Sequence, residues 1–163
     1  MICLRPQLFQ LQDYNHEIVD AVRTSDLPTL TRLFKSGKRY NTSICFHLNN
    51  FDSLCSMAAC NRFNESIVHL ACRRSTPAVV QFIVTHGGNV TATDDYGRNA
   101  LHDACWRADP CFDVIALLMD RDADLVRRAD KRGASPLQYV RKEHWLFWCA
   151  FLYLMKEKYW PRR

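Results

Sequence analysis

The stretch Ser66-Ile67-Val68-His69-Leu70-Ala71-Cys72 recurs as Asn99-Ala100-Leu101-His102-Asp103-Ala104-Cys105, and His102 minus His69 is 33 residues. Each copy sets a side-chain oxygen directly ahead of an apolar run, where that oxygen can accept from the first free N–H groups of a helix. A fainter copy, Ser135-Pro136-Leu137-Gln138-Tyr139-Val140, follows 36 residues on, counted from His102 to Gln138. Three caps in register predict helices that begin at equivalent points of a repeated unit. Pro136 suits a first helical residue, where its missing N–H has no partner to lose. A period of this length indicates a stack in which each unit buries its apolar face against its neighbours.

Each unit also signals a second helix. Thr76-Pro77 before Ala78 to Thr85, and Asp109-Pro110 before Cys111 to Asp120, read as cap plus first helical residue. The apolar residues Val79, Val80, Phe82, Ile83 and Val84, then Val114, Ile115, Leu117, Leu118 and Met119, cover too much circumference for a surface helix. These helices need neighbours on two sides. Gly87-Gly88 supplies a helix stop, and Asp94-Asp95-Tyr96-Gly97, repeated as Asp130-Lys131-Arg132-Gly133, forms a turn tip whose glycine takes positive φ. Upstream, Ala21 to Gly37 repeats the 16-residue interval of Ala71 to Gly87 and gives a degenerate first unit. Asn41 to Cys60 breaks the period, because Gly87 minus Gly37 is 50 rather than 33, and reads as an insertion. The expected organisation is an N-terminal segment (1–12), a degenerate unit (13–40), the insertion (41–60), full repeats (61–93 and 94–129, the latter with short insertions) and a degenerate last unit with an aromatic helix (130–163).

These motifs resemble the ankyrin repeat family, whose pattern runs Asp, two variable residues, Gly, one variable, Thr-Pro-Leu-His, one variable, Ala-Ala. The best copy, Asp94 to Cys105, has Asn99 for Thr, Ala100 for Pro and Cys105 for the second Ala. Asn64 stands for the turn Gly and Asp122 for the Gly that ends the second helix, both residue types that tolerate left-handed geometry. Gln138 stands for His, a change expected to weaken the last hydrogen-bonded corner. The resemblance implies an all-α ankyrin-type solenoid of helix-turn-helix units. Its protruding turn tips and first-helix faces would line a concave groove that binds other proteins, with no activity or cofactor of its own.

The chain has 163 residues, a formal charge of +5 and a pI near 8.8, a balance that mildly favours acidic partners. Its eight cysteines are scattered, and Cys72 and Cys105 hold equivalent repeat positions, so they read as small buried thiols rather than a disulfide framework. The start, Met1 to Pro6, has no apolar run of secretory length. The longest apolar run, Trp145 to Met155, spans 11 residues, whereas a bilayer takes about 20. The expectation is an intracellular protein, cytoplasmic or nuclear, without signal peptide or transmembrane segment.

His69-x-x-Cys72 and His102-x-x-Cys105 twice place two potential zinc ligands on one helical face. Consecutive first helices lie roughly 10 Å apart, too far for atoms that must each reach one metal at about 2.0 to 2.3 Å. A cysteine nucleophile would need an exposed, lowered-pKa thiolate, whereas Cys105 beside Trp106 reads as packed. Gly87-Gly88 precedes no phosphate-loop lysine. No catalytic, cofactor or metal residues are therefore expected, and the chain reads as a non-enzyme.

Positions the fold does not need are free to choose a partner. The repeat register places Arg62, Phe63, Leu70, Arg73 and Arg74 of one unit beside Tyr96, Arg98, Asp103, Trp106 and Arg107 of the next, with Lys131, Arg132 and Tyr139 continuing the row. Arginine interleaved with aromatic rings is the composition of binding hot spots. This predicts a basic, aromatic groove for an acidic, partly apolar protein surface, and reversal of Arg74 and Arg107 to Glu is expected to weaken capture without lowering the melting temperature. The runner-up is a nucleic-acid-associated or enzyme-regulatory subunit using the same Arg-rich tips, including Arg127 to Arg132. Finally, Trp145, Trp148, Phe151 and Leu152 belong to a helix apolar on nearly every side. A spare apolar face predicts a second interface, with self-association among its uses.

Overall fold

The computed structural model describes residues 14–40 and 59–161. Its α-helices are α1 (His16–Arg23), α2 (Leu27–Tyr40), α3 (Ile67–Arg74), α4 (Pro77–Thr85), α5 (Ala100–Cys105), α6 (Phe112–Arg121) and α7 (Trp145–Tyr159). Short 3-10 turns cover Ala123–Arg127, Pro136–Tyr139 and Lys142–His144. Among the described residues there is no strand, only two isolated antiparallel bridges, Cys60 with Ser66 and Thr93 with Asn99, again one unit apart. The fold is an all-α repeat stack. The expected insertion and N-terminal segment lie almost entirely outside the described residues.

The helices form two rows. α1, α3, α5 and the Pro136–Tyr139 turn pack side by side as one row, and α2, α4, α6 and α7 as the other. What fills the space between them follows from the repeat. Ile67, Ile83, Leu101, Ile115 and Leu118 are fully buried, and Ala71, Cys72, Ala104 and Cys105 present the small side chains that let first helices approach closely.

The caps stand where the sequence places them. Ser66, Asn99 and Ser135 each cap the turn that follows, and each is part of a reciprocal capping box closed by His69, His102 or Gln138. Asn15 caps α1 in the same manner through its side-chain oxygen. Asn64 takes the left-handed conformation with φ +57°, and Gly97 and Gly133 sit at φ +78° and +81°.

Three local expectations are corrected. Pro110 does not open the second helix of its unit; α6 begins at Phe112 with Cys111 at its N-cap. Asp122 is extended, with φ −158°, because its carboxylate turns forward to cap Ala123–Arg127 through the Asp124 N–H. The last unit lacks a full first helix. Where the other copies have Ala-Cys, this one has Val140-Arg141, too large for the small-residue slot, and both residues adopt extended backbone after a single 3-10 turn.

A candidate protein-docking face along the turn tips

The tips are built by one repeated device. Asn61 accepts from the N–H groups of Phe63 and Glu65, Asp94 from Tyr96 and Arg98, and Asp130 from Arg132 and Ala134, always two and four residues on. Successive tips are then zipped together: the Asp95 N–H donates to the Phe63 carbonyl at 2.9 Å, and the Lys131 N–H to the Tyr96 carbonyl at 2.9 Å. Gly97 is required at this joint. Its φ is positive, and a Cβ there would lie 3.1 Å from the Lys131 nitrogen.

The histidines lock each tip to the helix row beneath it. Nδ1 of His69 accepts from the Ser66 N–H at 3.2 Å, while Nε2 donates to the Arg98 carbonyl of the next unit at 3.0 Å. His102 repeats this with the Asn99 N–H at 3.1 Å and the Ala134 carbonyl at 3.1 Å. Burial holds both imidazoles below the ordinary histidine range, so they serve as neutral struts with both nitrogens engaged. A metal bound at either would break the strut. Burial likewise pushes the Cys72 and Cys105 thiols far up, away from nucleophilic thiolate. Gln138 keeps half of the histidine's work: its side-chain oxygen accepts from the Ser135 N–H at 2.9 Å and closes the cap.

The predicted partner-contacting row divides into two groups. Phe63, Tyr96 and Trp106 stand 45, 53 and 55% exposed, and Arg62, Arg74, Lys131 and Arg132 are exposed beside them. The others are committed to the fold. Leu70 and Asp103 are buried. Arg73 lies between Glu65 and Asp103, Arg98 pairs with Asp94 at 2.6 Å, and the Tyr139 hydroxyl donates to Asp130 at 2.6 Å. Arg107 reaches back one unit and donates to the carbonyls of Cys72 at 3.1 Å and Ser75 at 2.9 Å, satisfying the free end of α3. That corrects one expectation, because reversing Arg107 damages stability along with any docking.

Even the exposed aromatics are held in place. Arg62 lies over the Phe63 ring at 4.7 Å, Arg98 over Tyr96 at 5.1 Å, and Trp106 contacts Tyr139 at 5.7 Å between centroids. Sequence reasoning missed the cluster beneath them. Asp103 is 4% exposed, its pKa is raised to about 6 by burial, and its Oδ2 has no hydrogen-bond partner among the described residues. No local signal marked it, since an exposed first-helix position and a buried one look alike until the neighbouring unit is placed.

The ankyrin repeat profile, in three copies, matches residues 18–129. The chain belongs to the ankyrin repeat family. Ankyrin repeats are in general non-catalytic protein-interaction modules, and this chain carries them over most of its length. It is also similar to alpha-latroinsectotoxin-Lt1a of Latrodectus tredecimguttatus, with 34% identity over 64 residues, which is 39% of this chain and 4% of that protein. The likeness therefore spans only a small part of that relative's length. No helix among the described residues of this ankyrin stack is long and apolar enough to cross a membrane.

Proposed function

We propose that this ankyrin stack recognises a protein partner through the face formed by Arg62, Phe63, Arg74, Tyr96, Trp106, Lys131 and Arg132. The observation that carries the reading is the set of exposed rings, Phe63 and Tyr96 at successive tips and Trp106 at the end of α5, each held by a neighbouring cation or ring before any partner arrives. Side chains already ordered lose less entropy on docking. Four exposed cations beside three aromatic rings favour an acidic, partly apolar surface. The other arginines of the row are paired with carboxylates or spent on carbonyls, which favours protein over the phosphate backbone of nucleic acid. Cys72, Cys105, Cys111 and Cys149 are thiols, two of them buried, which suits an intracellular, reducing compartment. Self-association belongs to another surface, on α7.

The test is affinity capture with the intact chain against a variant carrying Arg74→Glu and Trp106→Ala, which leave the core untouched and remove only the half-exposed ring contact of Trp106 with Tyr139. Partners held by the groove are lost by at least tenfold while the melting temperature stays within a degree or two. Equal recovery by the two proteins overturns the reading. A steep salt-dependent gel shift with duplex or single-stranded nucleic acid favours the nucleic-acid alternative instead.

A further inference from the structure

The floor of the docking face holds a carboxylate that its surroundings do not balance. Asp103 lies three residues before Trp106, so the two share one side of α5. Arg73 is the equivalent of Trp106 one unit earlier, 33 residues back, and approaches Asp103 from α3, Nε to Oδ1 at 3.3 Å. That contact is an ion pair without hydrogen-bond geometry. The Arg73 Nε and the Asp103 Oδ2 are both buried with no hydrogen-bond partner among the described residues. Arg73 also serves Glu65, from the loop ahead of α3, while Arg98 is held by Asp94 at 2.6 Å in the neighbouring tip. Three carboxylates therefore share two guanidiniums beneath the exposed rings and cations.

The other groups around Asp103 do not supply the missing charge. Burial pushes the Cys72 thiol of α3 and the Cys105 thiol of α5 far up, and His102 is a neutral strut. The Tyr139 hydroxyl, raised to about 12 by burial and by Asp130, donates to that carboxylate. Arg107 is spent on the carbonyls that end α3.

We propose, on the docking reading above, that binding at this face is coupled to proton uptake: the acidic partner is held most tightly when Asp103 is protonated. A partner's carboxylates settle over Arg62, Arg74, Lys131 and Arg132 and exclude water from the floor. Added negative charge and lost hydration both disfavour the ionised form of Asp103. Protonation leaves Arg73 to Glu65 and Arg98 to Asp94, one carboxylate for each guanidinium. Burial already raises the Asp103 carboxyl to about 6 in the free stack, so the proton is available close to neutral pH. A partner carboxylate roughly 7 to 10 Å away biases that protonation by about tenfold at the effective dielectric of a protein surface. By linkage, affinity rises roughly three- to tenfold as pH falls from 8 to 6.

The probe is a short peptide selected at pH 6 against the intact chain from a library of Asp, Glu, Leu and Phe. Its carboxylates stay ionised from pH 6 to 8. Calorimetry across that range is expected to show the three- to tenfold tightening. Heats in buffers of different ionisation enthalpy give uptake of about half a proton per complex at pH 6.5. Asp103→Asn binds with the tight, acid-form affinity at both ends of the range and takes up no proton. His144, which donates to the Ala108 carbonyl at 2.6 Å near Trp106, supplies the control: His144→Gln leaves the profile unchanged. A library that yields no binder, or peptides indifferent to Arg74→Glu with Trp106→Ala, overturn the docking reading and this inference with it. A peptide that needs those two side chains yet binds alike at pH 6 and 8, or keeps its pH profile with Asp103→Asn, overturns this inference alone. Zero proton uptake by the intact chain does the same, whatever the variants show.

Discussion

Replacing Asp103 with Asn stabilises the protein at neutral pH, although it removes one member of an ion pair. Asp103 is 4% exposed, Arg73 approaches its Oδ1 only to 3.3 Å, and its Oδ2 has no hydrogen-bond partner among the described residues. Desolvation outweighs the attraction of Arg73 and Arg98, and the carboxyl pKa is raised from 3.8 to about 6. The folded state thus binds a proton more tightly than the unfolded one. Stability from this group is fully present below pH 3.8 and is lost as pH rises through 6. A displacement of about two pH units, at 1.36 kcal/mol each, makes ionised Asp103 cost about 3 kcal/mol at pH 7, about half that at pH 5 and nothing near pH 3. Asn supplies a neutral side chain of the same shape, and Arg73 retains Glu65.

The assay is urea unfolding of both proteins at pH 3 to 8, read as the difference in unfolding free energy. The difference is needed because His69 and His102, held below the ordinary imidazole range, bend each curve the other way. Their stabilising contribution is lost as pH falls below 6.5. A gain for Asp103→Asn that grows from zero to about 3 kcal/mol supports the account. A pH-independent difference, or a loss at pH 7, refutes it and makes the Arg73 pair a net stabiliser.

Arg107→Ala strands the Cys72 and Ser75 carbonyls at the end of α3 and lowers stability by about 1.5 to 3 kcal/mol, measurable by thermal melting. His69→Gln keeps the capping bond, as Gln138 does natively, but loses the strut to Arg98, costing about 1 kcal/mol; His69→Ala loses both bonds and the ring volume and costs at least twice as much in chemical denaturation. Gly97→Ala combines positive φ with a Cβ 3.1 Å from the Lys131 nitrogen, whereas Gly133→Ala meets open space. Both substitutions lower the melting temperature, Gly133→Ala by the equivalent of about 1 kcal/mol and Gly97→Ala by more.

Much of the stack was readable in one dimension, because the signals are local. A cap oxygen at Ser66, Asn99 or Ser135 meets N–H groups two or three residues away, and a glycine at 97 or 133 answers to its own φ. The 33-residue interval adds the inference that equivalent residues occupy equivalent surroundings, which is why His69 and His102 make the same contacts. Repetition therefore determined helix pairing, stacking order and the chemistry of the tips. The sequence did not say which polar residues on those faces remain free. Arg107 reaches a carbonyl 35 residues back, Arg73 meets a carboxylate of the next unit, and Asp103 is buried only once neighbouring units pack together. Those outcomes depend on distances between units, set by side-chain volume across the stack. The same holds for α7, apolar almost all round in sequence. Packing on α6, through Phe112 and the Tyr159 contact with Asp120, decided that Trp148 and Phe151 turn inward and that Leu146, Phe147, Tyr153 and Leu154 face out.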